Sequence, residues 1–590
     1  MKAFLKTVFA TFIGTFVAIA IGLVILVAFI GSIAMLGSSQ DSTPTVPSSA
    51  LLKIELSQPI TERGNEDPLS DFSALSLKSS GKSIALLQAL RAIEHAATDP
   101  AIKFIYLNLN GLNTGMAQLE EIRGALEKFR ESGKAIIAYA DNYSQGAYYL
   151  ATVADKIYIQ KEGNAILLGL SVKMMFFKDL LDKLGIEMQL IRHGKFKAAA
   201  EQFISNNISE ANREQNQAMI DSVWDTWSSA ISESRDIPIK TLNNLIDNLK
   251  LGDAQSLVDN SIVDEAVTRQ EMLDKLCNLF GVEKEKDLKM ITLSKYAKAV
   301  IKPNVKAKEK IAVLYADGEI SMDGTEGITA SEFCPLISKI KADSTVKAVV
   351  LRVNSPGGDA QAADMINTEL QLLREKKPVI VSFGNYAASG GYWISAQSDC
   401  IFTDKTTLTG SIGVFSLATN YGRGLKKHLD INTVTLETNE HSDMFSGIEP
   451  LDKKEQAYMQ TFVEDIYVKF MDIVSSGRDL SVDYVDSIAQ GRVWTGAEAL
   501  NLKLANRQGG LLDAIQYTAL FAGLDNYKIA EYPTVKTSMD KLMAMLNETS
   551  VKSTLLPKQY RTFEKIYSSL SSQKGIKTYA RIPYLYEFTY

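Results

Sequence analysis

The sequence predicts an α/β protein in which two tandem copies of one strand–helix unit follow an N-terminal transmembrane helix. Three observations carry this reading. Short apolar runs alternate with amphipathic helical stretches, the pattern of a mostly parallel sheet covered by helices. The pattern restarts midway along the 590-residue chain and keeps register with its first half. The N-terminus is long, apolar and uncharged.

After Lys2 and Lys6 no charged residue occurs before Asp41, and residues 8–36 are almost wholly apolar. That run exceeds the roughly 20 residues a helix needs to cross a bilayer. A cleaved signal peptide would have a shorter core of roughly 7–15 residues. The expectation is a retained anchor in contact with membrane lipid. Lys2 and Lys6 stay cytoplasmic under the positive-inside rule, with the body on the periplasmic or extracytoplasmic side. Gln40 to Ser49, rich in Ser, Thr and Pro, reads as a linker.

Strands are expected over Leu51–Leu56, Ile102–Leu109 and Ala135–Tyr139, with helices over Ser83–Ala97 and Ala117–Ser132. The second copy brings strands at Ile311–Tyr315, Val346–Val353 and Val379–Phe383, and a helix over Ala360–Arg374. Lys103–Asn110 aligns with Lys347–Asn354 at an offset of 347 − 103 = 244. The same offset pairs Gly146–Leu150 with Gly390–Ile394, Asp155 with Asp399 and Gly169 with Gly413. Residues 1–46 are read as anchor and linker, 47–300 and 301–538 as the two repeats. Residues 539–590 read as a helix and an extended tail against a neighbouring subunit, with nothing there suggesting chemistry.

Composition narrows the function. A net charge of −6 leaves no basic field for nucleic acid. The three cysteines, Cys277, Cys334 and Cys400, are widely spaced, which argues against a disulfide framework or a zinc site. No cofactor and no metal are expected.

The repeat is most informative where it breaks. Ser389 lies in Ala388-Ser389-Gly390-Gly391-Tyr392, after an apolar strand and before Trp393–Ala396, which reads as the first turns of a helix. A helix N-terminus and glycine-exposed amides favour a developing oxyanion. A plain glycine turn is the simpler reading of those residues alone. At offset 244, however, Ser389 faces Gln145, and Gly357-Gly358 face Asn113-Thr114. Loss of serine and paired glycines from one copy is what a catalytic role predicts after duplication. Asn354–Asp359 follows a strand, and its Pro-Gly-Gly can present free N–H groups to an oxyanion or simply turn the chain.

A serine nucleophile needs a base. None of the four histidines sits in a recognisable turn beside a strand end, so a lysine is the natural candidate. An ordinary lysine with pKa near ~10.4 is neutral in about one molecule in ~2,500 at pH 7, so the base needs an apolar pocket. Lys197, within Gly194–Ala200, has small neighbours, although the pattern alone also reads as a solvated helix lysine.

Asn354–Asp359, Ala388–Tyr392, Thr409–Gly413 and Gly491–Gly496 together resemble the signal peptide peptidase A (protease IV) family in its long, duplicated, membrane-anchored form. The resemblance covers nearly the whole chain. It implies tandem Clp-protease/crotonase-like domains and a Ser-Lys dyad. Ser389 would be the nucleophile, Lys197 the general base from the first repeat and Ser411 the residue that orients the lysine. Gly357 and Gly358 match the oxyanion-hole region. Family members commonly carry Tyr-Lys-Ser-Ala where this chain has Phe-Lys-Ala-Ala, which keeps the lysine and drops a nearby hydroxyl. The second copy has no lysine at the corresponding place, near Ser442. The resemblance further implies homo-tetramers acting on cleaved signal peptides and unfolded apolar peptides. A crotonase-like acyl-CoA enzyme and a catalytically silent membrane-anchored scaffold remain open alternatives.

Overall fold

The computed structural model describes residues 14–15, 21–22, 44–63, 83–324, 326–534 and 578–582. The chain divides into two units, residues 1–45 with 66–80 and residues 46–65 with 81–590. In the first unit, residues 14–15 and 21–22 are helical. The rest of the anchor expected over 8–36 lies outside the described residues, among which no helix is long and apolar enough to cross a membrane.

In the second unit the first repeat builds a six-stranded, all-parallel sheet. Its strands are β1 (Ala50–Leu56), β2 (Ile102–Leu112), β3 (Ile136–Ala140), β4 (Lys156–Gln160), β6 (Glu265–Val267) and β7 (Met290–Thr292). Their spatial order is β6-β4-β3-β2-β1-β7. Helices α1 (Leu86–Thr98), α2 (Met116–Arg130) and α3 (Gln145–Ala151) connect them, and the 26-residue α4 (Glu210–Arg235) follows. β5 (Glu187–His193) leaves this sheet altogether and pairs in the second repeat.

The second repeat has β8 (Glu309–Asp317), β9 (Val346–Ser355), β11 (Val379–Ala388), β12 (Leu408–Gly410), β14 (Val493–Thr495) and β15 (Tyr527–Tyr532). These run β14-β12-β11-β9-β8-β15, parallel except for the edge strand β14. β9 is buried along nearly its whole length, as a parallel strand covered on both faces must be. Helix α5 (Ala360–Arg374) packs against β11, and the four-residue α6 (Gly390–Trp393) follows β11.

A third sheet joins the pieces. It contains β10 (Gly357–Asp359), β16 (Thr578–Arg581), β13 (Val414–Asn420) and β5, adjacent in that order. A strand of the first repeat and a segment from near the C-terminus are thus hydrogen-bonded into the second repeat.

The strands and helices expected from periodicity form, with ends shifted by up to five residues. Two local readings are corrected. The helix after Ser389 begins at Gly390, not Trp393, and closes after one turn. Part of the reason is that the Ser395 hydroxyl donates to the Gly391 carbonyl at 2.7 Å, competing for the helix's own acceptor. Pro-Gly-Gly is more than a turn, because Gly357–Asp359 is itself a strand. The tail is corrected in part: residues 578–582 pack on their own chain, and the remainder of 539–590 beyond residue 534 lies outside the described residues.

Candidate active site

Two strand registers assemble the site. β11 pairs with β12 so that Ala388 lies beside Gly410, which makes Ser389 and Ser411 neighbours at adjacent strand ends. β5 pairs antiparallel with β13, His193 opposite Val414, so the chain leaving β5 runs back alongside Ser411. Lys197 lies four residues beyond His193, and it arrives there in a loop rather than on the solvated helix its pattern suggested.

The lysine is fully buried, as are Ser389 and Ser411. Lys197 Nζ lies 2.7 Å from Ser389 Oγ, 3.0 Å from Ser411 Oγ and 3.0 Å from the Ser411 carbonyl oxygen. A neutral amine has one lone pair and two N–H groups. Here it can accept from the Ser389 hydroxyl and donate to both Ser411 oxygens, with no group left over. Burial alone holds its pKa well below the ordinary lysine value of 10.5. Desolvation penalises the ammonium form, and no carboxylate offsets it.

Ser389 and Ser411 both adopt positive φ, 55° and 50°. A non-glycine residue there carries backbone strain. The surrounding hydrogen bonds hold it in place: Ser389 N–H donates to the Gly410 carbonyl at 2.8 Å, and Ser411 N–H to the Arg492 carbonyl at 2.6 Å.

Several residues that hold the lysine loop carried no assigned role in the sequence reading. Phe196 N–H donates to the Gln490 carbonyl at 2.9 Å, and Gln215 of α4 donates from Nε2 to the Phe196 carbonyl at 3.0 Å. Arg192 Nη1 donates to the Lys197 carbonyl at 2.9 Å. The Arg492 guanidinium sits over the rings of Phe196 and Trp494, at 4.9 and 4.3 Å. Gly491, at φ 78°, passes so close that an added Cβ would lie 2.6 Å from Lys197 Cβ. For Gly491, Arg492 and Trp494 the signal was the Gly491–Gly496 motif itself, whose partner could not be read from spacing.

Gly357 and Gly358 stand at φ 98° and 157° beside Gly390. Gly357 N–H donates to Ser355 Oγ at 3.2 Å, whereas Gly358 pairs across the sheet with Ala580. In the first repeat the equivalent corner is filled by Gln145. Its Oε1 accepts from the amides of Leu168 and Gly169, at 3.0 and 2.8 Å, and its Nε2 donates to the Gly169 carbonyl at 3.0 Å. That corner has a plug where the second repeat has a hydroxyl and an amine.

The model for peptidase family S49 matches residues 128–283 and 371–525, and the starts differ by 371 − 128 = 243, close to the internal offset. The chain is 36% identical over 451 residues to Protease 4 of Haemophilus influenzae, an alignment covering 74% of this chain and 72% of that one. Protease 4 of Salmonella typhi is 34% identical over 473 residues, covering 78% and 75%. The chloroplastic serine protease SPPA of Arabidopsis thaliana is 32% identical over 445 residues, covering 73% and 65%.

Proposed function

This chain belongs to peptidase family S49, and on that premise we propose that it is a membrane-anchored serine endopeptidase with a Ser389–Lys197 dyad. Its substrates are cleaved signal peptides and other apolar peptides at the membrane. The observation that carries this reading is the 2.7 Å approach of a buried, charge-unpartnered lysine to a buried serine. Neutral Lys197 takes the Ser389 proton as Oγ attacks a peptide carbonyl. It then protonates the departing amine and activates the water that releases the acyl group. Ser411 orients the amine, and the amides around Gly357 and Gly358 stabilise the oxyanion, the Gly357 N–H turning to it from its 3.2 Å bond to Ser355 Oγ. A crotonase-like acyl-CoA enzyme would have no use for the serine–lysine pair.

Internal symmetry supports assembly into a homo-oligomer, with the tetramer the family resemblance implies. Moving β13 back and β5 forward by 244 residues gives 170–176 and 431–437, both outside any strand here. Met175, Val434 and Leu436 are 67%, 87% and 94% exposed there. Paired between copies, these segments would repeat the β5–β13 contact from one subunit to the next, a head-to-tail arrangement that can close into a ring.

The test is hydrolysis of an apolar, signal-like peptide and a polar control by the detergent-solubilised full chain. Wild type should cleave the apolar peptide faster, and Ser389→Ala should be inactive with an unchanged circular dichroism spectrum. Equal activity of wild type and variant would sink the assignment. Gly491→Ala should also lower kcat/KM, by about 100-fold, because its Cβ displaces the lysine that must sit within hydrogen-bond reach of the serine. A near-normal rate in that variant would mean that the lysine's position does not matter.

A further inference from the structure

A cavity of about 1350 Å³ lies between the two repeats, and its lining includes neither Ser389 nor Lys197. Its walls come mainly from α1, α2 and α4 of the first repeat and from residues 404–405 and 497–513 of the second. Eleven of the lining residues are Asp or Glu and three are Lys or Arg, an acidic excess larger than the whole chain's net charge of −6. Two of those three cations are already engaged. Arg123 donates to the Tyr149 carbonyl at 2.6 Å and to Thr152 Oγ1 at 2.8 Å, and Lys128 pairs with Asp513 at 2.7 Å. On α4 the lining acids Asp221, Asp225 and Glu233 recur at multiples of four residues, a spacing at which like charges destabilise a helix. Asp225 and Glu233 are exposed, and neither forms an ion pair among the described residues.

The most buried of these acids is Asp404. It is 4% exposed, and its Oδ2 has no hydrogen-bond partner among the described residues. Arg352 does not serve it, because all five guanidinium N–H groups go to Glu62, Glu121, Ser382 and the Phe383 carbonyl. Burial, with the charges of Glu121 and Glu120, pushes the Asp404 carboxyl well above 3.8, the signature of a carboxyl short of positive charge. Among the described residues no three acidic or histidine ligands of this cavity come within 4.8 Å of one another, so it is not shaped for a metal ion. It suits a cation on a long flexible stem. Asp404 is also tied to the catalytic strands. Its carbonyl accepts from Thr407 N–H at 3.3 Å, and Thr407 Oγ1 donates to the Gly384 carbonyl at 2.8 Å. Gly384 lies on β11 five residues before Ser389, at most about 18 Å of extended chain.

We propose that this acidic cavity seats lysine or arginine side chains of a substrate peptide whose apolar part lies at Ser389. This rests on the peptidase reading above and narrows its substrate class to apolar runs with a basic cluster beside them. A signal peptide has that composition, a positively charged segment followed by an apolar one. Asp404 receives an ammonium or guanidinium group at the bottom of the cavity, where the bond is shielded from water and therefore strong. Asp225 and Glu233 on α4 attract the basic segment from the open side.

The test is hydrolysis of three apolar peptides by the detergent-solubilised full chain. One peptide is neutral, and two carry a Lys-Lys pair about six residues from the cut bond, roughly 20 Å of extended chain, on its N-terminal or its C-terminal side. At least one basic peptide should show a KM about 10-fold below that of the neutral one. The advantage should shrink at about 1 M salt, where screening acts within roughly 3 Å. Asp404→Asn should cut the advantage to about 2-fold or less. The double variant Asp225→Lys with Glu233→Lys, confined to the exposed face of α4, should do the same and decides the matter if Asp404→Asn does not fold. Hydrolysis of the neutral peptide by each variant reports that it is folded. Equal KM values for the three peptides in wild type overturn this inference and leave the dyad standing, as does an advantage that either folded variant keeps in full. Wild type silent toward all three peptides overturns the two readings together.

Discussion

Lys197→Met should lower peptide hydrolysis by about 10⁴-fold or more and at the same time raise the melting temperature. The activity falls because methionine cannot take the serine proton. The stability rises because an amine buried without a countercharge is replaced by a thioether of similar length that needs no partner. Each kcal/mol relieved is worth roughly 2–4 °C in a domain of this size.

The pH dependence carries a sign that can be checked. The folded pKa of Lys197 lies well below 10.5, so between that folded value and the ordinary one the unfolded chain holds a proton the native chain lacks. Stability from this group therefore rises with pH across that window and is flat on either side. Activity rises through the folded value and levels off below the ordinary lysine range. Calorimetry should find that part of the stability slope missing from the methionine variant. A variant that melts lower than wild type, or keeps its activity, contradicts the buried neutral base.

Arg352→Met should destabilise the chain by about 3–5 kcal/mol at neutral pH. Arg352 is fully buried on β9 and holds two carboxylates from the first repeat, Glu62 at 2.7 Å and Glu121 at 2.6 Å. Its Nη1 also donates to Ser382 Oγ and the Phe383 carbonyl, at 2.9 and 2.6 Å. Removing the guanidinium leaves two buried carboxylates facing each other. Burial already pushes the Glu121 carboxyl up to about 7, against the attraction of Arg352. Because that value lies above the ordinary 4.5, Glu121's contribution falls as pH rises from 4.5 through 7. The Arg352→Met loss should therefore be smaller at pH 5, where the carboxyl is protonated, than at pH 8. Denaturant unfolding at both values measures it, and equal losses would mean that the carboxylates are not the cause.

The contrast between these sites marks what the sequence could reveal. The duplication was legible because strand–helix periodicity and register survive in one dimension. Ser389 was legible because its loss from the first copy, as Gln145, is visible by alignment of the chain with itself. Lys197 was singled out for its small neighbours and given its role by resemblance, since its approach to Ser389 depends on β5 crossing into the second repeat's sheet. That crossing has no local signature. Arg352 interrupts the apolar run Ala348–Val353 and could have been read as a buried charge in need of partners. Glu62 and Glu121 could not have been named, because they are 290 and 231 residues away in the chain. The same limit hid β16: Thr578–Arg581 looks like any short polar–aromatic stretch until its register against Gly357–Asp359 is known.

A serine-directed fluorophosphonate probe, applied to wild type and Lys197→Met and followed by peptide mapping, tests the dyad most directly. The expected result is one adduct, on Ser389, in wild type and none in the variant, because without the amine the hydroxyl is an ordinary serine. An adduct on another residue, or equal labelling of Ser389 in both proteins, would contradict the pairing of serine and lysine.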